Sequence, residues 1–206
     1  MSLTRTGLLG GTFDPIHFGH LFIAQAVCAK AGLDRVLFMP VGDPSHRAVH
    51  ATAAHRKAMV ELAIAGNQHF AIDDTALEQK GPVYTADTLA LVRPKLTNDE
   101  LYFIAGADAL TASRWRRLDE VAAAVARFYV VRREGTLLEE MASVLGDLPA
   151  DLYQRFEMLD LPLVDISSSV IRERVANDEP IRYLTPDAVV KYIESKRLYR
   201  KGNGPD

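Results

Sequence analysis

His17 and His20 stand three residues apart in GGTFDPIHFGH, residues 10–20. An apolar run at 6–9 precedes this segment and a helical pattern at 19–31 follows it. One helical turn puts two imidazoles at that spacing on the same side, beside the unpaired N–H groups of the helix start. Such amides favour an anion. Gly10 and Gly11 allow a sharp turn and a close approach of backbone to ligand. Two imidazole donors beside free amides suit a triphosphate. A glycine turn with two surface histidines is the bland alternative, but it leaves the coincidence of glycine pair, Asp-Pro turn and spaced histidines unexplained. The G-x-G-x-x-G spacing of dinucleotide-binding oxidoreductases is absent, and so is a Walker A loop. Zinc proteases space their histidines four apart beside a glutamate, which does not occur here.

A second candidate is ISSSVIR, residues 166–172. Serines cap helices well, so capping alone, with Arg172 as a surface charge, is the bland reading. A capping box would place Glu or Gln three residues after the cap, whereas Val170, Ile171 and Arg172 occupy those positions. If Ser169 is the cap, a cation sits in the first turn, where the helix dipole disfavours it unless an anion is bound. Glu173 next door offsets part of that argument.

The elements that would carry these groups alternate along the chain. Strand patterns at 6–9, 35–39, 70–72, 101–105, 128–131 and 163–165 are separated by helical patterns at 19–31, 52–65, 85–92 and 119–126. Met59, Leu62 and Ala63 are expected on one face of the second helix, and Gly32 and Gly66 stop the first two. Helices from about 168 to 176 and from Thr185-Pro186 close the chain, with Thr185 as cap and proline at the first helical position. Residues 136–160 give the weakest signal; a helix fits there, with unclear ends. The alternation predicts an α/β fold: a Rossmann-like, doubly wound, mostly parallel sheet with a small C-terminal helical part. Ligands of such sheets sit beyond the carboxyl ends of the strands, so chemistry is expected in the loops that follow them.

The 206 residues favour a single domain, 1–206, with a helical subdomain at about 166–200. The chain is 48% hydrophobic and 25% charged, with net charge −3. That balance argues against a nucleic-acid binder but leaves room for a polyanionic small substrate met by a local positive cluster. The single cysteine, Cys28, makes no intrachain disulfide and reads as a buried small hydrophobe. No apolar run is long enough to span a bilayer and no signal-peptide pattern opens the chain, which points to the cytoplasm. The residues at 201–206 read as a disordered tail.

GGTFDPIHFGH resembles the H-x-G-H signature of the nucleotidyltransferase superfamily, which shares its fold with class I aminoacyl-tRNA synthetases. ISSSVIR resembles that superfamily's second motif, I-S-S-T-x-I-R, with Ser169 in place of threonine. The resemblance implies that His17, His20 and Arg172 are catalytic. It places Gly10, Gly11, Thr12 and Phe13 along the nucleotide and the Ile166, Ser167, Ser168 and Ser169 segment at the β- and γ-phosphates. It implies ATP as substrate and a Mg²⁺ carried by substrate phosphates rather than by a protein metal site.

Almost the whole chain resembles one branch, the nicotinate-nucleotide adenylyltransferases. Pro44-Ser45-His46-Arg47 is similar to that branch's P-P-H-K loop, with two substitutions. Residues 54–59 resemble its H-R-x-x-M helix start, although Arg56 also fits a structural role. Tyr84-Thr85-Ala86-Asp87-Thr88 matches Y-T-x-x-T, Gly106-Ala107-Asp108 matches G-x-D, and the Tyr183-Leu184-Thr185-Pro186 and Tyr192-Ile193 segments resemble the branch's ending. By this resemblance Gly106 and Asp108 belong to ATP binding, with Asp108 on ribose hydroxyls. His46, Arg47, Thr85, Ala86, Trp115, Arg116 and Arg133 belong to the acceptor, Arg132 being an equal candidate with Arg133. The Trp115 indole would offer a stacking face to a nicotinate ring; a core tryptophan is the alternative, against which its arginine neighbours speak.

These residues suit adenylyl transfer from ATP to nicotinate mononucleotide, giving deamido-NAD and pyrophosphate. An acceptor phosphate is already ionised and needs no general base, so positioning and electrostatics suffice. Nicotinamide mononucleotide, phosphopantetheine or FMN as acceptor, and a non-catalytic ATP sensor, are the competing readings. Small-molecule substrates, no nucleic acid and no membrane are expected, and a homo-oligomer is compatible with the sequence.

Overall fold

The computed structural model describes residues 3–42, 49–79, 84–107, 110, 115–132, 145–146, 148–162 and 164–201. Within these, six strands form one sheet: β1 (Thr4–Gly11), β2 (Arg35–Pro40), β3 (Phe70–Ile72), β4 (Asp99–Gly106), β5 (Arg127–Arg132) and β6 (Phe156–Asp160). Their order is β3-β2-β1-β4-β5-β6, and every neighbouring pair is parallel. The chain reverses its direction of travel across the sheet between β1 and β4, and a doubly wound sheet opens its ligand crevice at that switch point. The expected α/β architecture is present, and the sheet is parallel throughout.

Seven α-helices are described: α1 (Phe18–Ala31), α2 (Ala53–Ile64), α3 (Thr85–Val92), α4 (Leu118–Ala124), α5 (Ala150–Tyr153), α6 (Ser168–Ala176) and α7 (Asp187–Ser195). A strand in such a sheet is covered on both faces and carries apolar residues at successive positions. In β4, Tyr102 and Ile104 join a core containing residues of α1, α2, α6 and α7. Leu101, Phe103 and Ala105 join a second core with residues of α3 and α4. Cys28 lies buried in the first core, as expected, and its thiol donates to the Leu33 carbonyl at 3.3 Å.

Local signals set several boundaries. Gly32, in a left-handed conformation with φ 61°, ends α1. Thr52 caps α2 by accepting the His55 N–H at 3.3 Å. Pro94 forces the end of α3 into one 3₁₀ turn, Arg93–Lys95.

Four expectations need correction. The last strand is Phe156–Asp160, inside the stretch read as weak, and residues 164–165 have no regular structure. Phe156 stacks on Phe128 of β5 at 4.7 Å, and that cross-strand contact secures a strand that carries Glu157 and Asp160 among its five residues. On α2 the buried residues are Arg56, Met59, Val60 and Ile64, while Leu62 is exposed. Thr185 does not cap α7: Pro186 stands at the cap position, and the buried Thr185 hydroxyl donates to the Ile16 carbonyl at 2.8 Å. Ser167, not Ser169, caps α6, accepting the Val170 N–H at 3.3 Å. Arg172 therefore lies beyond the first turn, and the argument from the helix dipole lapses.

Candidate active site

β1 ends at Gly10-Gly11 beside Met39 and Pro40 of β2, and the loop from Thr12 to His17 leads into α1. Neither glycine makes the turn. The left-handed residue is Phe13, with φ 49°, whose buried ring packs edge-on to His20 at 5.0 Å and against Phe38 at 5.8 Å. Gly11 is needed for space, since a Cβ there would come within 2.8 Å of the Phe13 ring. Gly10 is less constrained; its added Cβ would meet Phe103 at an ordinary 3.6 Å.

His17 occupies the N-cap of α1 and is buried, while His20 is half-buried one turn on. Their rings lie 3.7 Å apart between centroids, tilted by 31°. The His17 backbone N–H donates to His20 Nδ1 at 3.3 Å. An accepting Nδ1 puts the proton of a neutral imidazole on Nε2, which leaves His20 a donor at its far edge. Gly19 permits this arrangement: a Cβ there would stand 3.0 Å from the His17 ring.

The start of α6 is stitched to the same loop. The Ser168 hydroxyl donates to the Pro15 carbonyl at 2.8 Å, and Arg172 Nη1 donates to the Asp14 carbonyl at 2.7 Å. The Phe18 N–H donates to the Leu184 carbonyl at 3.1 Å, which braces the assembly from the C-terminal side. Two helix N-termini, one bearing His17 and His20 and the other Ser167, Ser168, Ser169 and Arg172, thus adjoin at the switch point. The Ser167 and Ser169 hydroxyls are 3.0 Å apart, and Ser169 is exposed. Because the Ser168 hydroxyl proton is directed at Pro15, what this residue can offer an anion is its backbone N–H.

Arg56, fully buried, holds the surrounding loops. Its guanidinium donates to the carbonyls of Ala51, Thr12, Val41 and Gly42 at 2.6 to 3.2 Å. The alternative of a structural Arg56 is the one realised, joining the loops after β1 and β2. Asp14, also buried, does comparable work: its carboxylate accepts the His50 and Ala51 N–H groups at 2.7 and 3.2 Å and the Tyr199 hydroxyl at 2.8 Å. Sequence reasoning missed Asp14 and Tyr199 as a pair, which 185 residues separate. A signal for Arg56 existed in its spacing with Met59, Val60 and Ile64 on one helical face.

Of the positions expected to meet the acceptor, Ala86 and Trp115 belong to the second core, on the face of the sheet covered by α3 and α4. Thr85 and the buried Ala86 begin α3, with their N–H groups at a helix start. The Arg116 guanidinium sits 5.6 Å from the centroid of the Tyr84 ring, which ties the 115–117 segment to that start. Arg117 reinforces the tie by pairing with Asp87 and, at 2.7 Å, with Glu120. Trp115 is half-buried and packs edge-on to Phe103 and Phe128 at 5.7 and 5.6 Å. The tryptophan is therefore anchored on the core while remaining partly open. Gly106 ends β4 at the carboxyl edge, paired with Val131 of β5. His46, Arg47, Asp108 and Arg133 lie outside the described residues, as does the side chain of Arg132.

Residues 8–174 match the cytidylyltransferase-like family. A nicotinate-nucleotide adenylyltransferase of Dehalococcoides mccartyi is 42% identical over 203 residues, 96% of this chain and 98% of its own. That of Roseiflexus sp. is 44% identical over 203 residues, 97% of this chain and all of its own. The chain belongs to the nicotinate-nucleotide adenylyltransferase family. Its backbone also resembles Plasmodium falciparum nicotinic acid mononucleotide adenylyltransferase complexed with NaAD, with TM-score 0.75, 19% identity and coverage of 95% of this chain and 97% of that one. At that identity the likeness bears on the fold alone. Membership in an adenylyltransferase family makes the chain an enzyme and identifies ATP as its nucleotide substrate.

Proposed function

We propose that the protein transfers AMP from ATP to nicotinate mononucleotide, forming deamido-NAD and releasing pyrophosphate. The observation that carries this reading is the meeting of two helix N-termini on one loop, through Ser168 to Pro15 and Arg172 to Asp14. Converging amides, imidazoles and a guanidinium suit a triphosphate and the charge that develops on its leaving part.

An oxygen of the acceptor phosphate bonds to the α-phosphorus of ATP in line. The bond from that phosphorus to the bridging oxygen breaks, and its electron pair leaves with pyrophosphate. No proton has to be removed from the nucleophile. His17 and His20 donate to the phosphates, and Arg172 meets the β- and γ-phosphates as pyrophosphate departs. Gly10, Gly11, Thr12, Phe13, Gly106 and Asp108 line the nucleotide, and Ile166, Ser167, Ser168 and Ser169 present the start of α6. Thr85, Ala86, Trp115 and Arg116 receive the nicotinate end, Arg133 or its neighbour Arg132 meets the acceptor's phosphate, and His46 and Arg47 also belong to acceptor binding.

Among the described residues no group of three or more His, Cys, Asp or Glu side chains could cage a metal. The imidazoles, hydroxyls and guanidinium present fit a Mg²⁺ held mainly by the phosphates themselves, where it would neutralise their charge. The proposal extends to one nucleotidyltransferase domain over residues 1–206, working on small molecules in the cytoplasm. No helix among the described residues is long and apolar enough to cross a membrane.

Purified protein with ATP, Mg²⁺ and nicotinate mononucleotide should release pyrophosphate and form the dinucleotide. A panel with nicotinamide mononucleotide, phosphopantetheine and FMN should give much slower release. Faster turnover of another acceptor, or ATP binding without turnover, would reject the proposal.

A further inference from the structure

The turn that follows α7 carries a group that the proposed reaction does not use. After α7, the Arg197 N–H bonds to the Glu194 carbonyl at 3.1 Å and the Leu198 N–H to the Ile193 carbonyl at 3.0 Å. Arg197 and Tyr199 both take left-handed conformations, with φ of 53° and 63°. Non-glycine residues adopt that region at a cost of order 1 kcal/mol or more each, so the surrounding structure has to hold them there. The consequence is that the chain folds inward: Leu198 and Tyr199 pack against the core that includes α1, α2 and α6, and the Tyr199 hydroxyl reaches Asp14 Oδ1 at 2.8 Å.

Asp14 stands between Tyr199 and Arg172. Its carboxylate gathers three donors, the Tyr199 hydroxyl and the N–H groups of His50 and Ala51, with the His50 imidazole 3.5 Å away. Its carbonyl receives Arg172 Nη1 at 2.7 Å. The side chain and the main chain of one buried residue therefore each carry a partner from the C-terminal part of the chain. Fixing the carboxylate fixes the peptide whose oxygen aims the guanidinium.

We propose that Tyr199 is a positioning residue: its hydroxyl immobilises Asp14, and Asp14 in turn holds Arg172 at the leaving-group end of the triphosphate. This rests on the reading of Arg172 as the group that meets the β- and γ-phosphates. Burial, and then the neighbouring Asp14 charge, push the Tyr199 phenol far above its ordinary range, so it remains a donor at any pH where the enzyme works. A purely structural Tyr199 would lend packing and stability but would not distinguish a nucleotide with a triphosphate from one without.

The test is Tyr199→Phe in the full-length protein, which keeps the ring and removes the hydroxyl. Affinities for AMP and for a non-hydrolysable ATP analogue are measured by calorimetry, alongside kcat and the melting temperature. The ATP analogue should bind about tenfold more weakly, the scale of one charge-assisted hydrogen bond, and AMP affinity should change by less than about twofold. Tyr192→Phe is the control, because that phenol meets His55 at 2.9 Å instead of Asp14; both affinities should stay at wild-type values. Equal loss of both ligands, no loss of either, or failure of Tyr199→Phe to fold would overturn the proposal. A wild-type enzyme that binds the ATP analogue no better than AMP would instead refute the role of Arg172 itself, and the Tyr199 assignment with it.

Discussion

Ser168, the first residue of α6, donates its hydroxyl to the Pro15 carbonyl at 2.8 Å, across 153 residues of chain. This bond docks one helix start onto the loop that feeds the other. The distance between the serine-rich turn and the histidine pair is thus set by a contact that neither motif reveals alone. Replacing Ser168 by alanine should raise KM for ATP by about tenfold, the effect of losing one partly buried hydrogen bond that positions a site. The melting temperature should fall by only a few degrees. Steady-state kinetics and a thermal melt check both, and an unchanged KM would show that the docking does not serve ATP binding.

His20 is held by its Nδ1 bond to the His17 backbone and by the edge of Phe13. His20→Ala should lower kcat by about 10²–10³-fold, as expected for a preorganised donor that strengthens in the transition state. The fold should survive, since His20 is only half-buried. A circular dichroism spectrum paired with initial rates is the measurement, and a near-normal kcat would remove His20 from the phosphate site.

Trp115 has two claims on it: the core contacts to Phe103 and Phe128, and the open part of the indole. Trp115→Ala should raise KM for nicotinate mononucleotide by about tenfold while KM for ATP stays close to wild type, an aromatic stacking loss of about 1.4 kcal/mol. Equal changes in the two constants would assign the residue to the core alone.

Arg56 satisfies four carbonyls from one guanidinium. Lysine has the charge but not the fork, so Arg56→Lys strands some of those acceptors in a buried site. Destabilisation of about 2–4 kcal/mol is expected from two or more lost buried hydrogen bonds, read from urea denaturation. A midpoint equal to wild type would mean that the loops after β1 and β2 close without it.

Asp99 lies at the opposite end of the sheet, where it accepts from the Thr6 hydroxyl at 2.5 Å and Arg35 Nη2 at 2.6 Å. Burial by itself would raise its carboxyl, but those two partners, together with the Arg93 charge, outweigh burial and hold it below the ordinary range. A carboxyl lowered in the folded state stabilises the protein fully above its unfolded pKa of about 4, and that stabilisation is lost as pH falls toward the lower folded value. Asp99→Asn should therefore lie below wild type in stability at pH 7, and the gap should narrow as pH is brought from about 5 to 3. Its kcat should equal that of wild type, because Asp99 begins β4 at the edge away from the site. A pH-independent gap would sink the assignment.

Much of the fold could be read locally. Parallel strands covered on both faces need unbroken apolar runs, and Arg35–Pro40 and Asp99–Gly106 display them. Phe156–Asp160 could not be read that way: Glu157 and Asp160 break up its short apolar content, and nothing local signals that Phe128 waits beside Phe156. Thr185 shows a similar limit. Threonine before proline looks like a cap, yet its hydroxyl bonds to Ile16, because a buried carbonyl of the site loop needs a donor.

By itself the sequence determined the α/β class, the two phosphate-type motifs and the side chains they offer, because periodicity, glycine placement and the three-residue spacing of His17 and His20 act over a turn or two of chain. Only the tertiary structure decided that these motifs share a loop, that Arg56 and Asp14 hold it, and that Phe13 rather than a glycine makes its turn. The reason is physical. A buried donor takes whichever acceptor the packing of distant elements brings within about 3 Å, and no short-range pattern along the chain encodes which one that will be.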